Sequence, residues 1–225
     1  MRRACVAAVT VYVAGILLQS PLRSEPAATQ PAQAAAAEAE QQPASAVTGL
    51  VKAEGEVPLA EMVVFLESPD PARKMPPPGP PVSVSQKGAQ FEPRLVVVAV
   101  GQAVDFPNDE DRLIEHNVFS NSPAKRFDLG LYGPGTSKQV TFDKPGAVFL
   151  YCSIHRYMDG VIFVSPTPYF SRVDDNGGYN IENVPPGKWT VRTWQRRRRF
   201  PEKTIPVVVE ADKPAAVDLE LKKRK

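Results

Sequence analysis

The sequence predicts an all-β chain, β-sandwich material from Val47 to its end. Three observations carry that reading. Short apolar runs (Met62 to Leu66, Leu95 to Val100, Val161 to Val164, Pro206 to Val209) are bounded by Gly, Pro, Asp and Asn, the punctuation of strands and turns. No stretch after residue 47 keeps a helical period over three turns. The closing Val217-Asp218-Leu219-Glu220-Leu221 alternates apolar with charged residues, the period of a half-buried strand.

The elements follow in chain order. Residues 1–24 read as a signal peptide or N-terminal anchor. Met1-Arg2-Arg3 is basic, and Ala4 to Leu18 is apolar apart from Thr10, slightly short of the roughly 20 residues of a membrane span. An extracytoplasmic, periplasmic location follows as an expectation, with a membrane tether through the N-terminus as its variant. Residues 25–46 are Ala, Pro, Glu and Gln and cannot bury enough apolar area to offset chain entropy, so they read as a flexible tether. An opening strand pair, Thr48 to Ser68, comes next. Pro76-Pro77-Pro78-Gly79-Pro80-Pro81 is extended and separates that pair from the long block Val82 to Ser165. Beyond the block, Asp174-Asp175-Asn176-Gly177-Gly178 and Pro185-Pro186-Gly187 are turn signals, each leading into a strand.

Charge and cysteine usage narrow the function classes. The leader holds Arg2, Arg3 and Arg23 and no acid, so 24 of the 27 basic residues remain against 25 acidic ones. The basic balance belongs to the leader, and no nucleic-acid motif accompanies it. Cys5 lies in the leader, which leaves Cys152 as the only cysteine of the exported body. A lone thiol in an oxidising compartment is open to damage, and metal ligation is the usual reason to keep one.

The chain has two histidines, His116 and His155, and the second falls in the run Cys152-x-x-His155-x-x-Met158. That order suits copper. Thiolate and thioether favour copper(I), imidazole favours copper(II), and a trigonal Cys-plus-two-His set with a weak axial Met compromises between them. Zinc would not choose Met158. A Cys–His hydrolase lacks a clear orienting acid, and haem attachment and binuclear copper both need a second cysteine. Multicopper catalysis needs more histidines than two, so a non-enzymatic role is expected. Gly146 to Tyr151 reads as a strand running into Cys152, and Val161 to Val164 as the strand that leaves.

"VDFPN…HNVFS" followed by "FLYCSIHRYMDGVIFV" resembles the cupredoxin family, the plastocyanin and amicyanin group. The resemblance implies a Greek-key β-sandwich over residues 82–165 with His116, Cys152, His155 and Met158 as ligands of one type 1 copper ion. It also implies that the Asn117 side chain braces the ligand loop. Ile154 stands where the family commonly has proline, so its N–H could donate to the thiolate sulfur. "TGLVKAEGEVPLAEMVVFLES" and "DDNGGYNIENVPPGKWTVRTW" resemble the two ends of a carboxypeptidase regulatory-like (prealbumin-like) β-sandwich. That implies a small sandwich split into residues 47–81 and 166–225, with residues 82–165 inserted into it or packed against it as a sheet extension. The combination is similar to bacterial methylamine utilization or plastocyanin-like proteins, whose role implies a redox partner protein, a cytochrome or a dehydrogenase.

Two functional readings stay open. One is an exported carrier of single electrons. The other is an extracytoplasmic binding or structural β-module in which copper is stored, sensed or structural. Arg196-Arg197-Arg198-Arg199 reads either as a docking patch for an acidic partner or as a charged hairpin edge that resists aggregation. Trp189 and Trp194 read as core and sheet-face residues.

Overall fold

The computed structural model describes residues 45–55, 59 and 61–223. The expected leader, 1–24, and the expected tether up to residue 44 lie outside the described residues. The chain runs through β1 (Ser45–Ala53), β2 (Met62–Glu67), β3 (Val82–Ser83), β4 (Ser85–Lys87), β5 (Gln90–Glu92) and β6 (Leu95–Ala99). It continues through β7 (Ala103–Pro107), β8 (Phe119–Ser122), β9 (Lys125–Asp128), β10 (Ser137–Thr141), β11 (Gly146–Tyr151) and β12 (Asp159–Ser165). Last come β13 (Phe170–Arg172), β14 (Gly178–Val184), β15 (Gly187–Gln195), β16 (Thr204–Val209), β17 (Ala215–Ala216) and β18 (Leu219–Leu221). No α-helix occurs among the described residues. The protein is all-β.

β1 begins two residues inside the expected tether. Ser45 pairs with Val184, and its hydroxyl donates to the Lys213 carbonyl, so Ser45 belongs to the sheet. β1 pairs antiparallel with β14 and in parallel with β17 and, farther along, with β18. A second sheet has the order β13-β2-β15-β16, a third β6-β12-β11-β8-β9 and a fourth β10-β7-β3, while β4 and β5 form a separate hairpin. The chain thus builds part of one sandwich with β1 and β2, makes another with β3 to β12, and returns to the first.

Three apolar cores separate these four layers. Val47, Val64, Leu66, Ile181, Trp189 and Leu219 fill the space between the first two sheets. Val98, Phe106, Val148, Leu150 and Ile162 fill that between the third and fourth. Val63, Phe65, Leu95, Val161, Phe163 and Trp194 join the second sheet to the third. Side chains alternate across a strand, so β2 sends Val64 and Leu66 one way and Val63 and Phe65 the other. β12 divides in the same manner, Ile162 and Val164 against Val161 and Phe163. A strand covered on both faces needs a continuous apolar run, which is why these two read as unbroken stretches of Val, Ile and Phe.

Trp194 stacks on Phe163 across the middle core, with ring centroids 4.7 Å apart and planes 20° apart. Trp189 is 1% exposed in the outer core, so both tryptophans are packing residues. The turn into β14 depends on Gly177, which has φ +88; a Cβ there would lie 2.4 Å from the Val51 carbonyl oxygen. Asp174 Oδ1 accepts the Asn176 and Gly178 N–H groups at 2.8 Å each, which accounts for the acid in that turn.

Candidate metal centre

β11 pairs with β12 along the whole of β11, and the last pair is Tyr151 with Asp159. The seven residues from Cys152 to Met158 therefore form a loop closed by a paired position at its base. Inside it, the Met158 N–H donates to the His155 carbonyl at 3.0 Å. Asn117, 3% exposed, holds the start of the loop: its Oδ1 accepts the Ser153 N–H at 2.7 Å, and its Nδ2 donates to Asp128 Oδ1 at 2.9 Å.

His116 comes from a separate segment, between β7 and β8. Its backbone exchanges two hydrogen bonds with Tyr132, of 3.1 and 2.9 Å. The approach is set by Asn108, 1% exposed, whose side-chain amide donates to the carbonyls of Ile114 and Tyr132 at 3.0 Å each. The Tyr132 hydroxyl accepts from Gln86 Nε2 at 2.6 Å and donates to the Phe106 carbonyl at 3.0 Å. Burial, opposed by the Gln86 hydrogen bond and assisted by the Cys152 charge, pushes this phenol up to about 12. It stays protonated and ties its segment to β7.

The structure brings three of the four sequence-predicted ligands to one point. His116 Nδ1 lies 3.0 Å from His155 Nδ1, and Cys152 Sγ lies 4.0 Å from the first and 3.7 Å from the second. All three ligand atoms fall within 4.8 Å of one another. The point equidistant from them is about 2.1 Å from each, the circumradius of a triangle with those sides, which matches metal–imidazole and metal–thiolate bonds of about 2.0–2.3 Å. The residues fit a trigonal N₂S site. Met158, 1% exposed, is buried in the same apolar cluster as Cys152. His116 is fully buried and Cys152 is 6% exposed, so His155 alone of the four reaches solvent. The exposed Ile154 and Tyr157 flank it. Among the described hydrogen bonds, none joins the Ile154 N–H to the sulfur.

Sequence reasoning missed Glu110. Its Oε1 lies 2.8 Å from His116 Nε2 and also accepts the Ala89 N–H at 2.9 Å. The Ala89 N–H and, more weakly, His116 hold this carboxyl below the usual carboxylate range against the opposing effect of burial. An ionised Glu110 accepts a proton-bearing Nε2, and that tautomer turns the Nδ1 lone pair toward the cluster. The available signal was a carboxylate six residues before the histidine, in a loop that starts at the Pro107-Asn108 break.

No family model and no curated protein matches the sequence. Solved cupredoxins resemble the fold in part. A purple cupredoxin from Nitrosopumilus maritimus is 23% identical, covering 37% of this chain and 99% of its own, with a TM-score of 0.34. A reduced amicyanin variant is 18% identical over 45% of this chain and 99% of its own, also at 0.34. A copper-containing nitrite reductase from Thermus scotoductus is 25% identical over 51% of this chain and 28% of its own, at 0.35.

Proposed function

We propose that His116, Cys152, His155 and Met158 hold one type 1 copper ion, and that the chain passes single electrons between redox partner proteins outside the cytoplasm. The observation that carries this is the convergence of two Nδ1 atoms and one Sγ on a point at bonding distance from all three. Copper bound there would supply a one-electron couple between copper(I) and copper(II). The chain supplies the rest. Glu110 fixes the His116 tautomer, Asn117 fixes the start of the loop, and the surrounding core restrains both so that ligand positions change little between oxidation states. His155, at the solvent edge, is where electrons enter and leave. Both histidines of the chain belong to this cluster, which favours a carrier over a multicopper catalyst. A cytochrome or a dehydrogenase is the partner class proposed.

A second reading rests on the other sandwich, which has its own core and contributes none of the four ligands. In that reading the sandwich binds a partner or an envelope polymer, and copper is stored, sensed or structural. Adding copper(II) to the metal-free chain is the direct test. An intense thiolate-to-copper absorption near about 600 nm is expected for a His₂Cys set, and Cys152→Ser should abolish it. No such band in the wild-type chain would sink the copper site. Copper bound with the band but without a reversible one-electron couple would favour the second reading.

A further inference from the structure

The run Arg196–Arg199 follows β15, and its first residue is nearly buried: the Arg196 side chain is 12% exposed. β15 pairs with β2 up to Gln195 opposite Met62, which places Arg196 beside Glu61. The Arg196 N–H reaches the Glu61 carbonyl, and Nη1 bonds Glu61 Oε1 at 3.0 Å. The stack of Trp194 on Phe163 presses this end of β15 against β12. Arg196 Nη2 thereby meets Asp159 Oδ2, while Asp159 Oδ1 takes Arg94 Nη2. Arg197 Nε closes the chain of charges on Glu61 Oε2 at 3.5 Å. Neither a docking patch nor a solvated edge describes Arg196.

Asp159 follows Met158 directly and is the paired residue at the base of the loop. The loop therefore has two side-chain braces. Asn117 holds its start from within the same sandwich, and the Asp159 carboxylate holds its end through a guanidinium that belongs to the other one. An isolated surface ion pair contributes little, but a planar fork held between two carboxylates at low exposure fixes both. We propose that Arg196 is a positioning residue for the metal-ligand loop, so that the second sandwich is a working part of the centre. In its metal arm the inference rests on the copper reading above; in its loop arm it stands alone.

The test uses the full chain, metal-free and copper-loaded, in the wild type and in Arg196→Gln, Arg196→Lys and Arg199→Gln. In the metal-free Arg196→Gln chain, amide exchange over residues 153–160 is expected to rise about tenfold while β14 and β1 keep wild-type protection. In the loaded chain, copper release to a chelator should be about tenfold faster, with altered relative intensities of the thiolate–copper(II) bands. Lysine keeps the charge but loses the fork, so Arg196→Lys should fall between, and Arg199→Gln should match the wild type. Wild-type exchange and wild-type release in Arg196→Gln overturn the proposal. Should Arg196→Gln loosen everywhere, Arg196→Lys decides: loosening confined to 153–160 supports positioning, and none there overturns it. If the wild type shows no copper band, the copper reading fails and the exchange comparison still judges the brace.

Discussion

Replacing Asn117 with alanine removes two hydrogen bonds made by a side chain that is 3% exposed. Each bond contributes about 1 kcal/mol net. Their loss is not symmetric. Asp128 Oδ1 still accepts the Gly130 N–H at 2.9 Å, so it stays satisfied. Ser153 is exposed and its N–H sits in a part-buried position, so the freed donor costs at most about 1 kcal/mol more. The total comes to about 2–3 kcal/mol, which for a chain of this size lowers Tm by about 4–12 °C. Urea and thermal unfolding of the metal-free chain, followed by circular dichroism, measures it. Asn117→Asp separates the two bonds. It keeps the acceptor for Ser153 but turns an oxygen toward Asp128, so like charges face each other and the variant stays well below the wild type at neutral pH. An Asn117→Ala chain within about 0.5 kcal/mol of the wild type would refute the assigned role, because such small effects belong to surface positions.

Two further outcomes follow from other parts of the fold. Trp194→Ala deletes the largest side chain of the middle core and should cost about 3–5 kcal/mol. Because that core is what couples the sandwiches, calorimetry should show one unfolding transition separating into two, and a single sharp transition at lower temperature would argue against the coupling. Tyr179 is raised above its usual value, first by burial and then by the Asp218 charge, and its hydroxyl donates to the Val217 carbonyl at 2.5 Å. The unfolded chain then releases this proton at lower pH than the folded one. Stability from Tyr179 is whole below pH about 10 and declines as pH rises beyond it. Tyr179→Phe should be less stable by about 1 kcal/mol at pH 7 yet lose less between pH 9 and about 11; urea midpoints falling in parallel for both chains would contradict this.

Local chemistry was legible from the residues alone. Turn formers bracket the strands, so the all-β class followed without tertiary information, and the Asp174 and Gly187 turns lead into β14 and β15. The spacing of Cys152, His155 and Met158 put three candidate ligands on one short loop, and the shortage of other histidines left only His116 to join them. Partners chosen across space were not legible. Alternation says that Val63 and Val64 face opposite ways, but not that both faces are covered, since that depends on which sheet lies beyond each. Glu110 lies close to His116 in sequence, yet its role follows from the path that Asn108 imposes on the loop. The meeting of Arg196 with Asp159 spans two sandwiches and is set by one aromatic stack. Sequence determines what each segment can form through its own backbone preferences and donor atoms. Only the folded chain decides which buried groups meet, because desolvation makes every such group take whatever partner the packing of layers brings within reach.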